Sequence, residues 1–328
     1  MIRSGLRAIT IGLLLLAAPA VARAQAPSFA SLGAQEQGAS AIPGASETQP
    51  AVWVVRDEDT TIYLFGTLHV RREGARWGGP VAEWALEQAG LVWTETDIPA
   101  AGDASIAALV RSLGYEASKP LSRNRDINRV NKDRLRRAAE KTGIAYADLD
   151  TMRPWLASVT LAMAPLLRAG YNPDHGVDRA VVEIARKSRK TLKAFETSKD
   201  QFGFFAGLSA PLQLELLYQS LDELDKDPQS LRQLEGDWER GNDAALRENL
   251  VDEVRNSNTE LYNVLLKDRN SDWANQIDRQ LKDAPGVQFV AVGVAHLVGD
   301  ESVLHELDNM GYTVTRLTPC APGAQACK

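Results

Sequence analysis

Two similar stretches of sequence decide the fold, TIYLFGTLHV at 61–70 and FVAVGVAHLV at 289–298. Each begins with a short apolar run, rich in β-branched and aromatic residues, that predicts a buried strand. In each, a glycine closes the run and a histidine follows three residues later: Gly66 and His69, then Gly293 and His296. With 24 glycines and four histidines in 328 residues, composition alone gives about 0.3 such pairs. We therefore expect two related half-motifs at opposite ends of one domain.

The spacing within each half-motif also predicts where its histidine lies. Glycine lets the chain leave a strand with backbone angles that other residues rarely adopt and without a side chain in the way. A histidine three residues later then points over the carboxyl end of the strand, the edge where ligands bind in open α/β sheets. Two imidazoles brought together there can ligate a metal or act as base and acid. We expect His69 and His296 to share one site.

Two glutamates occupy comparable positions at the ends of other predicted strands. Glu95 ends the run LVWTE, and Glu196 ends the run TLKAFE. Two histidines and two glutamates at four strand ends suit a divalent metal such as Zn, Mn or Co. Taken alone, each glutamate fits a helix cap or a surface carboxylate equally well.

The rest of the chain predicts an α/β domain. Short β-rich runs on either side of the charged turn RDED predict a hairpin. Further strands are predicted at 91–96, 191–196, 289–293 and 312–317, and helices at 79–90, 104–114, 155–167, 176–188 and 301–311. Strands that alternate with helices indicate a mixed central sheet with flanking helices. The charged stretch 198–283 predicts a helical middle region.

Two stretches allow two interpretations each. Residues 119–141 hold nine Lys or Arg and three acids, which fits a solvated helix with its flanks or a surface for an acidic partner. The stretch WLASVTLAMAPLL, residues 155–167, is almost wholly apolar but too short to span a membrane. It is either a buried helix or the wall of a substrate groove.

The N-terminus has the three parts of an export signal. Two arginines, an apolar run and a small-x-small cleavage site follow one another. We predict a signal peptide over 1–24, a flexible linker over 25–50 and an α/β domain over 51–319. The mature protein is then periplasmic or secreted, with no stable membrane anchor.

The cysteines and the net charge fit an exported protein. The two cysteines of the chain, Cys320 and Cys327, stand in the tail 320–328, and in an oxidising compartment such a pair forms a disulfide. The formal charge of −6 becomes −9 without the leader, which contains three arginines and no acid. A protein of that charge has no general attraction for nucleic acid, so we expect no nucleic-acid partner.

Several common catalytic motifs are missing from the sequence. It contains neither glycine-rich nucleotide cradle, G-x-x-x-x-G-K or G-x-G-x-x-G, and no G-x-S-x-G elbow. His305 and Glu306 begin like a zincin helix, but Asn309 stands where the second histidine would be. These absences leave the two half-motifs as the main chemical signal.

In the order and spacing of its motifs the sequence resembles the TraB/GumN family, whose animal relatives are the Tiki proteases. The matching segments, spread over residues 51–318, are WVV with YLFGTLHV, VWTETD, GVDRAVVEIA, FETSKDQ, RNSDWANQI and FVAVGVAHLVGDESVLHELDNMGYTVTRL. The resemblance implies an α/β fold with a split sheet and a metal-dependent hydrolase centre, with peptidase activity suggested by the Tiki branch. The family's site residues would fall on His69, Glu95, Asp178, Glu196, Arg269, Asn270 and His296.

From this resemblance we expect a metal-assisted hydrolytic site. His69 and His296 would bind a divalent metal, Mn, Co or Zn, with Glu95 or Glu196 as a further ligand. The other glutamate would activate a water as general base. Arg269 would stabilise a developing oxyanion or form a structural ion pair.

Four further residues are expected to support the site. Asn270 would hold a substrate or a neighbouring loop. Asp178 is a helix cap or the outer partner of a histidine, and Gly66 and Gly293 shape the half-motifs. The substrate is a peptide or another small molecule. Two alternatives remain open: a metal- or haem-binding protein without catalysis, and a metal-independent, esterase-like hydrolase that uses His and Glu as acid and base.

Overall fold

The computed structural model describes residues 48–100, 103–224 and 229–318. The predicted signal peptide, the predicted linker up to residue 47 and the two cysteines lie outside these residues. No helix in the described ranges combines the length and the apolar character needed to cross a membrane.

A mixed sheet of six strands forms the centre of the domain. The strands of the described chain are β1 Val52–Arg56, β2 Thr60–Thr67, β3 Arg71–Arg72, β4 Leu91–Thr96, β5 Tyr171–Asn172, β6 Thr191–Glu196, β7 Gly286–Gly293 and β8 Thr315–Arg316. Across the sheet the order is β6-β4-β7-β2-β1-β8, and β3 pairs separately with β5. The predicted hairpin is the antiparallel pair β1–β2, whereas β2, β7, β4 and β6 run parallel. The predicted fold class is confirmed, although the last strand is shorter than expected.

Helices cover the sheet and fill the middle of the chain. They are α1 Pro80–Gln88, α2 Ser105–Gly114, α3 Arg129–Thr142, α4 Tyr146–Asp150, α5 Pro154–Arg168, α6 Val177–Lys187, α7 Ser198–Gly207, α8 Ala210–Glu223, α9 Gln229–Glu239, α10 Asp243–Leu246, α11 Glu253–Ser257, α12 Thr259–Tyr262, α13 Asp268–Asp283 and α14 Val303–Asn309. The predicted helical middle region corresponds to α7 through α13.

The sheet is buried on both of its faces. One face packs against α13 and α14, where Trp273, Ile277 and Leu307 are almost fully buried. The other face packs against α1, α6 and part of the helical middle. A strand covered on both faces needs apolar side chains at consecutive positions, not at alternate ones. This is why VWVV in β1 and FVAV in β7 are unbroken apolar runs.

The structure decides between the two interpretations of the apolar stretch and shows where the basic stretch lies. The apolar stretch 155–167 lies in α5, where every residue from Trp155 to Met163 is buried, so it is a core helix. Pro165 stands inside that helix without ending it. The basic stretch 119–141 forms α3 and the turn before it, with most of its charged side chains exposed. Exposed side chains fit a solvated helix with its flanks and a surface for an acidic partner equally well.

Two local features lie next to the segments that follow the parallel strands. The pair β3–β5, together with a 2.8 Å hydrogen bond from the Val177 amide to the Leu68 carbonyl oxygen, joins the loop after β2 to the start of α6. A π-helical turn, Asn263–Lys267, leads directly into α13. Such turns widen a helix locally and occur frequently at functional sites.

Candidate active site

The carboxyl ends of the four parallel strands meet at one edge of the sheet. Because the strand order there is β6-β4-β7-β2, the residues at or after these ends stand in the order Glu196, Glu95, His296 and His69. Adjacent strands lie about 4.8 Å apart, so neighbouring side chains at this edge reach one another. The four side chains form one buried cluster, in which His69 is the most exposed at 10%.

Glu95 is the centre of this cluster. Its Oε1 atom lies 3.7 Å from Nε2 of His69 and 3.7 Å from Nε2 of His296. The same oxygen accepts a hydrogen bond from the Gly293 amide, and Oε2 accepts one from Arg269 Nη2 at 3.1 Å. Burial raises the pKa of Glu95, but the positive charges beside it outweigh burial and hold that pKa well below its usual value. The carboxylate is therefore ionised.

His69 lies between two carboxylates. Its Nδ1 atom is 3.2 Å from Asp178 Oδ1, while its buried Nε2 faces Glu95 and has no hydrogen-bond partner among the described residues. Burial lowers the pKa of His69, but Asp178 and Glu95 outweigh that effect and raise the pKa to about 10. Asp178 is thus the outer partner of a histidine, and the N-cap position of α6 belongs to Gly176 instead.

His296 is held as a neutral imidazole. The Asn270 Nδ2 atom donates a hydrogen bond to the Glu301 carbonyl oxygen at 2.6 Å. The Asn270 Oδ1 atom therefore faces His296, where it accepts a hydrogen bond from the Nδ1–H group, also at 2.6 Å. The Nε2 atom then carries a lone pair and accepts a hydrogen bond from Arg269 Nη1 at 3.2 Å. Burial lowers the pKa of His296 to about 3, and the adjacent Arg269 cation adds to this effect. Asn270 therefore holds both a neighbouring loop and the imidazole.

Arg269 binds both glutamates, and all five of its N–H groups have acceptors. Nε and Nη2 donate to the two oxygens of Glu196 at 2.8 and 2.9 Å, and Nη2 also donates to Glu95. Nη1 donates to His296 and to the carbonyl oxygen of Leu265, which lies in the π-helical turn before α13. A guanidinium has no other donors, so its orientation is fully determined. The predicted ion pair is present as a buried Glu95–Arg269–Glu196 triad.

Glu196 joins the site through Arg269. Its remaining hydrogen bond is from Trp273 Nε1 at 3.0 Å, and the structure gives it no contact with either imidazole among the described residues. Burial raises the pKa of Glu196 in spite of the opposing effect of Arg269. Of the four predicted metal ligands, His69, His296 and Glu95 therefore lie together, whereas Glu196 is joined to them through the Arg269 guanidinium.

The glycines act differently from our expectation. Gly293 has φ −52° and ψ 135°, and Gly66 is not among the glycines with positive φ, so neither needs unusual backbone angles. Gly293 contributes its amide to Glu95. Gly66 lies so close to Val294 that a side chain would collide with it. The expectation of unusual backbone angles was wrong, whereas the expectation that no side chain stands in the way holds at position 66, where the close approach of Val294 requires a glycine.

Some residues of the site were not singled out from the sequence. Gln201 Nε2 donates to Glu95 Oε2 at 3.4 Å, and Trp273 lies under both His296 and Arg269, with ring distances of 4.4 and 4.6 Å. Both residues stand inside segments that carry the family resemblance, so those segments could have indicated them as site residues. Trp238, whose indole donates to the Gly66 carbonyl oxygen, stands in none of those segments.

The donor atoms at the centre lie slightly farther apart than the ligands of a divalent metal, and Arg269 already donates to His296 Nε2 and to Glu95. A metal such as Zn lies about 2.1 Å from its nitrogen and oxygen ligands, so neighbouring ligands in a tetrahedral site are roughly 3.4 Å apart. The two 3.7 Å separations from Glu95 Oε1 are slightly longer, and both Nδ1 atoms face outer oxygens, as in metal-bound histidines. In the described part of the chain, no group of three or more His, Cys, Asp or Glu residues has an arrangement that could hold a metal ion.

A comparison with protein families gives one match. The model of the TraB/PrgY/gumN family matches residues 51–316, which include every residue of the cluster. No curated protein and no solved structure matches the chain.

Proposed function

Because the chain belongs to the TraB/PrgY/gumN family, we propose that it is an exported metal-dependent hydrolase whose substrates are peptides. One observation carries the proposal. The Nε2 atoms of His69 and His296 face the same Glu95 oxygen, while Asp178 and Asn270 hold the two Nδ1 atoms from outside. Two inward imidazoles and a carboxylate, each fixed from behind, are typical of a catalytic metal site.

The proposed roles follow from these contacts. His69, His296 and Glu95 would hold Mn, Co or Zn, which when bound supplies Lewis acidity and a water of lowered pKa. Glu196, whose pKa burial raises, would accept the proton of the attacking water once one of its oxygens leaves Arg269, since a general base works best when its pKa approaches the working pH. Arg269 would bring positive charge to the oxyanion that forms when a carbonyl is attacked. Its five fixed hydrogen bonds keep that charge in place without further reorganisation.

Hydrolysis is tested with a peptide library, the purified mature protein and added Mn, Co or Zn, with products identified by mass spectrometry. Glu95→Gln should abolish cleavage while the fold remains intact, because an amide can still accept from Gly293 but no longer carries charge. Glu83→Gln is the matched control, since Glu83 is exposed and, within the described ranges, forms its ion pair with Arg76. Equal cleavage by the wild-type protein and Glu95→Gln would contradict the proposal.

A metal-independent hydrolase is the second candidate, and one contact favours it. Arg269 already places a cation against His296 Nε2 and Glu95, where the metal would otherwise supply positive charge. His69 and His296 would then act as acid and base, and their pKa values lie far apart, as such a pair requires. Cleavage that survives dialysis against a chelator would favour this candidate over the first.

Export is part of the same proposal. The leader 1–24 would be removed, and Cys320 and Cys327 would pair in the oxidising compartment. The intact mass of the protein recovered from the periplasm or the medium tests both steps. It should match a chain that begins at residue 25 and lacks two hydrogens. A full-length mass, or two thiols that react with an alkylating reagent, would contradict them.

A further inference from the structure

The two half-motifs touch each other at Gly66. A Cβ atom built on Gly66 would lie 2.8 Å from Val294 Cγ2, 2.9 Å from Val294 Cβ and 3.0 Å from Val294 Cα. Val294 directly follows Gly293 and begins the short 3₁₀ turn that ends at His296. The glycine of the first half-motif therefore provides the surface on which the turn of the second half-motif rests.

Gly66 has little freedom to move away from this contact. Its carbonyl oxygen accepts a 2.8 Å hydrogen bond from Trp238 Nε1. The Trp238 ring lies 4.8 Å from the guanidinium of Arg71, a buried side chain held at 2.6 Å by Glu235 and by Glu239. On the strand side, Gly66 pairs in parallel register with Val292 of β7. The backbone of position 66 is thus restrained by α9 and by β7 together.

Val294 has equally little freedom. It is 2% exposed, and the turn it begins is anchored at its other end by the hydrogen bond between His296 and Asn270. Packed interiors respond to an added methyl group by moving backbone or side chains. A methyl group at position 66 would therefore push the 3₁₀ turn outward, and His296 with it.

We infer that Gly66 is a positioning residue, whose missing side chain seats Val294 against β2 and so sets the place of His296 opposite His69 over Glu95. The inference deepens the proposed function, because it concerns the geometry of the same site. It does not depend on catalysis, since the position of His296 can be observed directly. It also explains why a glycine with ordinary backbone angles stands at position 66.

The test uses Gly66→Ala in the mature protein, with two readouts. The first is the NMR signal of the buried Nδ1 proton of His296, which should shift and exchange faster with solvent as the hydrogen bond to Asn270 weakens. The second is the dissociation constant for Co²⁺, measured by visible absorption. It should rise about 10- to 100-fold, the usual effect of disturbing residues that orient metal ligands. Gly90→Ala is the matched control, because a Cβ there meets open space, and it should change neither readout.

A graded rescue separates this contact from a general loss of stability. Val294→Ala removes the 2.8 Å contact but leaves Cβ at 2.9 Å, whereas Val294→Gly leaves only Cα at 3.0 Å. Gly66→Ala combined with Val294→Gly should therefore recover the His296 signal further than Gly66→Ala combined with Val294→Ala. Each double variant is compared with its own Val294 single variant. If Gly66→Ala does not fold alone, the two double variants still give the comparison.

The outcomes are distinct. An unchanged His296 signal in Gly66→Ala, or equal recovery in both double variants, would overturn the inference. A wild-type protein that binds no Co²⁺ would count against the proposed metal site. In that case the NMR readout would still decide the role of Gly66.

Discussion

Replacing Arg269 by methionine should destabilise the domain strongly. Arg269 is 3% exposed and is the cation that binds both Glu95 and Glu196, themselves 4% and 8% exposed. Methionine keeps much of the side-chain volume but removes the cation that the two buried carboxylates share. Breaking a buried ion pair by removal of one member costs about 3–5 kcal/mol. Since domains are stable by about 5–15 kcal/mol, most of the protein should still fold.

The loss is measured by urea unfolding at pH 7.5, followed by circular dichroism. Arg76→Met is the matched control, because the Arg76–Glu83 pair is exposed, and such pairs contribute about 0–1 kcal/mol. A triple variant, Glu95→Gln, Arg269→Met and Glu196→Gln, should recover part of the lost stability, because it removes the uncompensated charges.

The same variant should show a defined dependence on pH. Without Arg269, burial raises the folded-state pKa of Glu196 further above its unfolded value, whereas His69 still holds the pKa of Glu95 down. A carboxyl group whose pKa is higher in the folded state than in the unfolded state binds its proton more tightly in the folded state. It therefore contributes stability at low pH, and this contribution is lost as pH rises through the folded-state pKa. The deficit of Arg269→Met should therefore be smaller at pH 5 than at pH 8. A loss below about 1 kcal/mol that is the same at both pH values would refute the reasoning.

Two other substitutions test the partners of the histidines. The pKa of His69 is raised to about 10, so the stability it contributes is fully present below its unfolded value of 6.5 and is lost as pH rises towards 10. Asp178→Asn should lower that pKa, seen by NMR titration, and should weaken this alkaline loss of stability; an unchanged pKa would count against the contact. Asn270→Leu leaves the Nδ1 proton of His296 without its acceptor, which should cost about 1–3 kcal/mol in urea unfolding. Stability equal to that of the wild-type protein would mean that the proton has another acceptor.

The sequence predicted the strands of the site better than their surroundings. The runs that became β2 and β7 are short, continuous and apolar because both faces of the sheet are covered, and this pattern can be recognised without a structure. Their shared edge then followed from the rule that ligands bind at the carboxyl ends of parallel strands. The last strand was harder to place, because β8 holds only two exposed residues.

The contacts among the site residues could not be predicted in the same way. Arg269 is 174 positions from Glu95, and whether it orders substrate or neutralises two glutamates depends on how α13 packs on the sheet. The backbone angles of Gly66 were misjudged, and the neighbour that needs the missing side chain could not be named, because Val294 is 228 positions away in sequence. Trp238 lies in α9 and donates a hydrogen bond to Gly66, and nothing in the charged sequence of that helix indicates this contact.

The central claim is that His69, His296 and Glu95 form a metal centre, and metal content tests it most directly. The mature protein from residue 25 is exposed to Mn, Co and Zn, freed of excess metal and analysed for its elements beside the double variant His69→Ala, His296→Ala. We predict about one equivalent of metal in the wild-type protein and none in the folded double variant. Equal metal in the two proteins, or none in either, would contradict the metal centre and leave acid–base catalysis by the histidines as the working account.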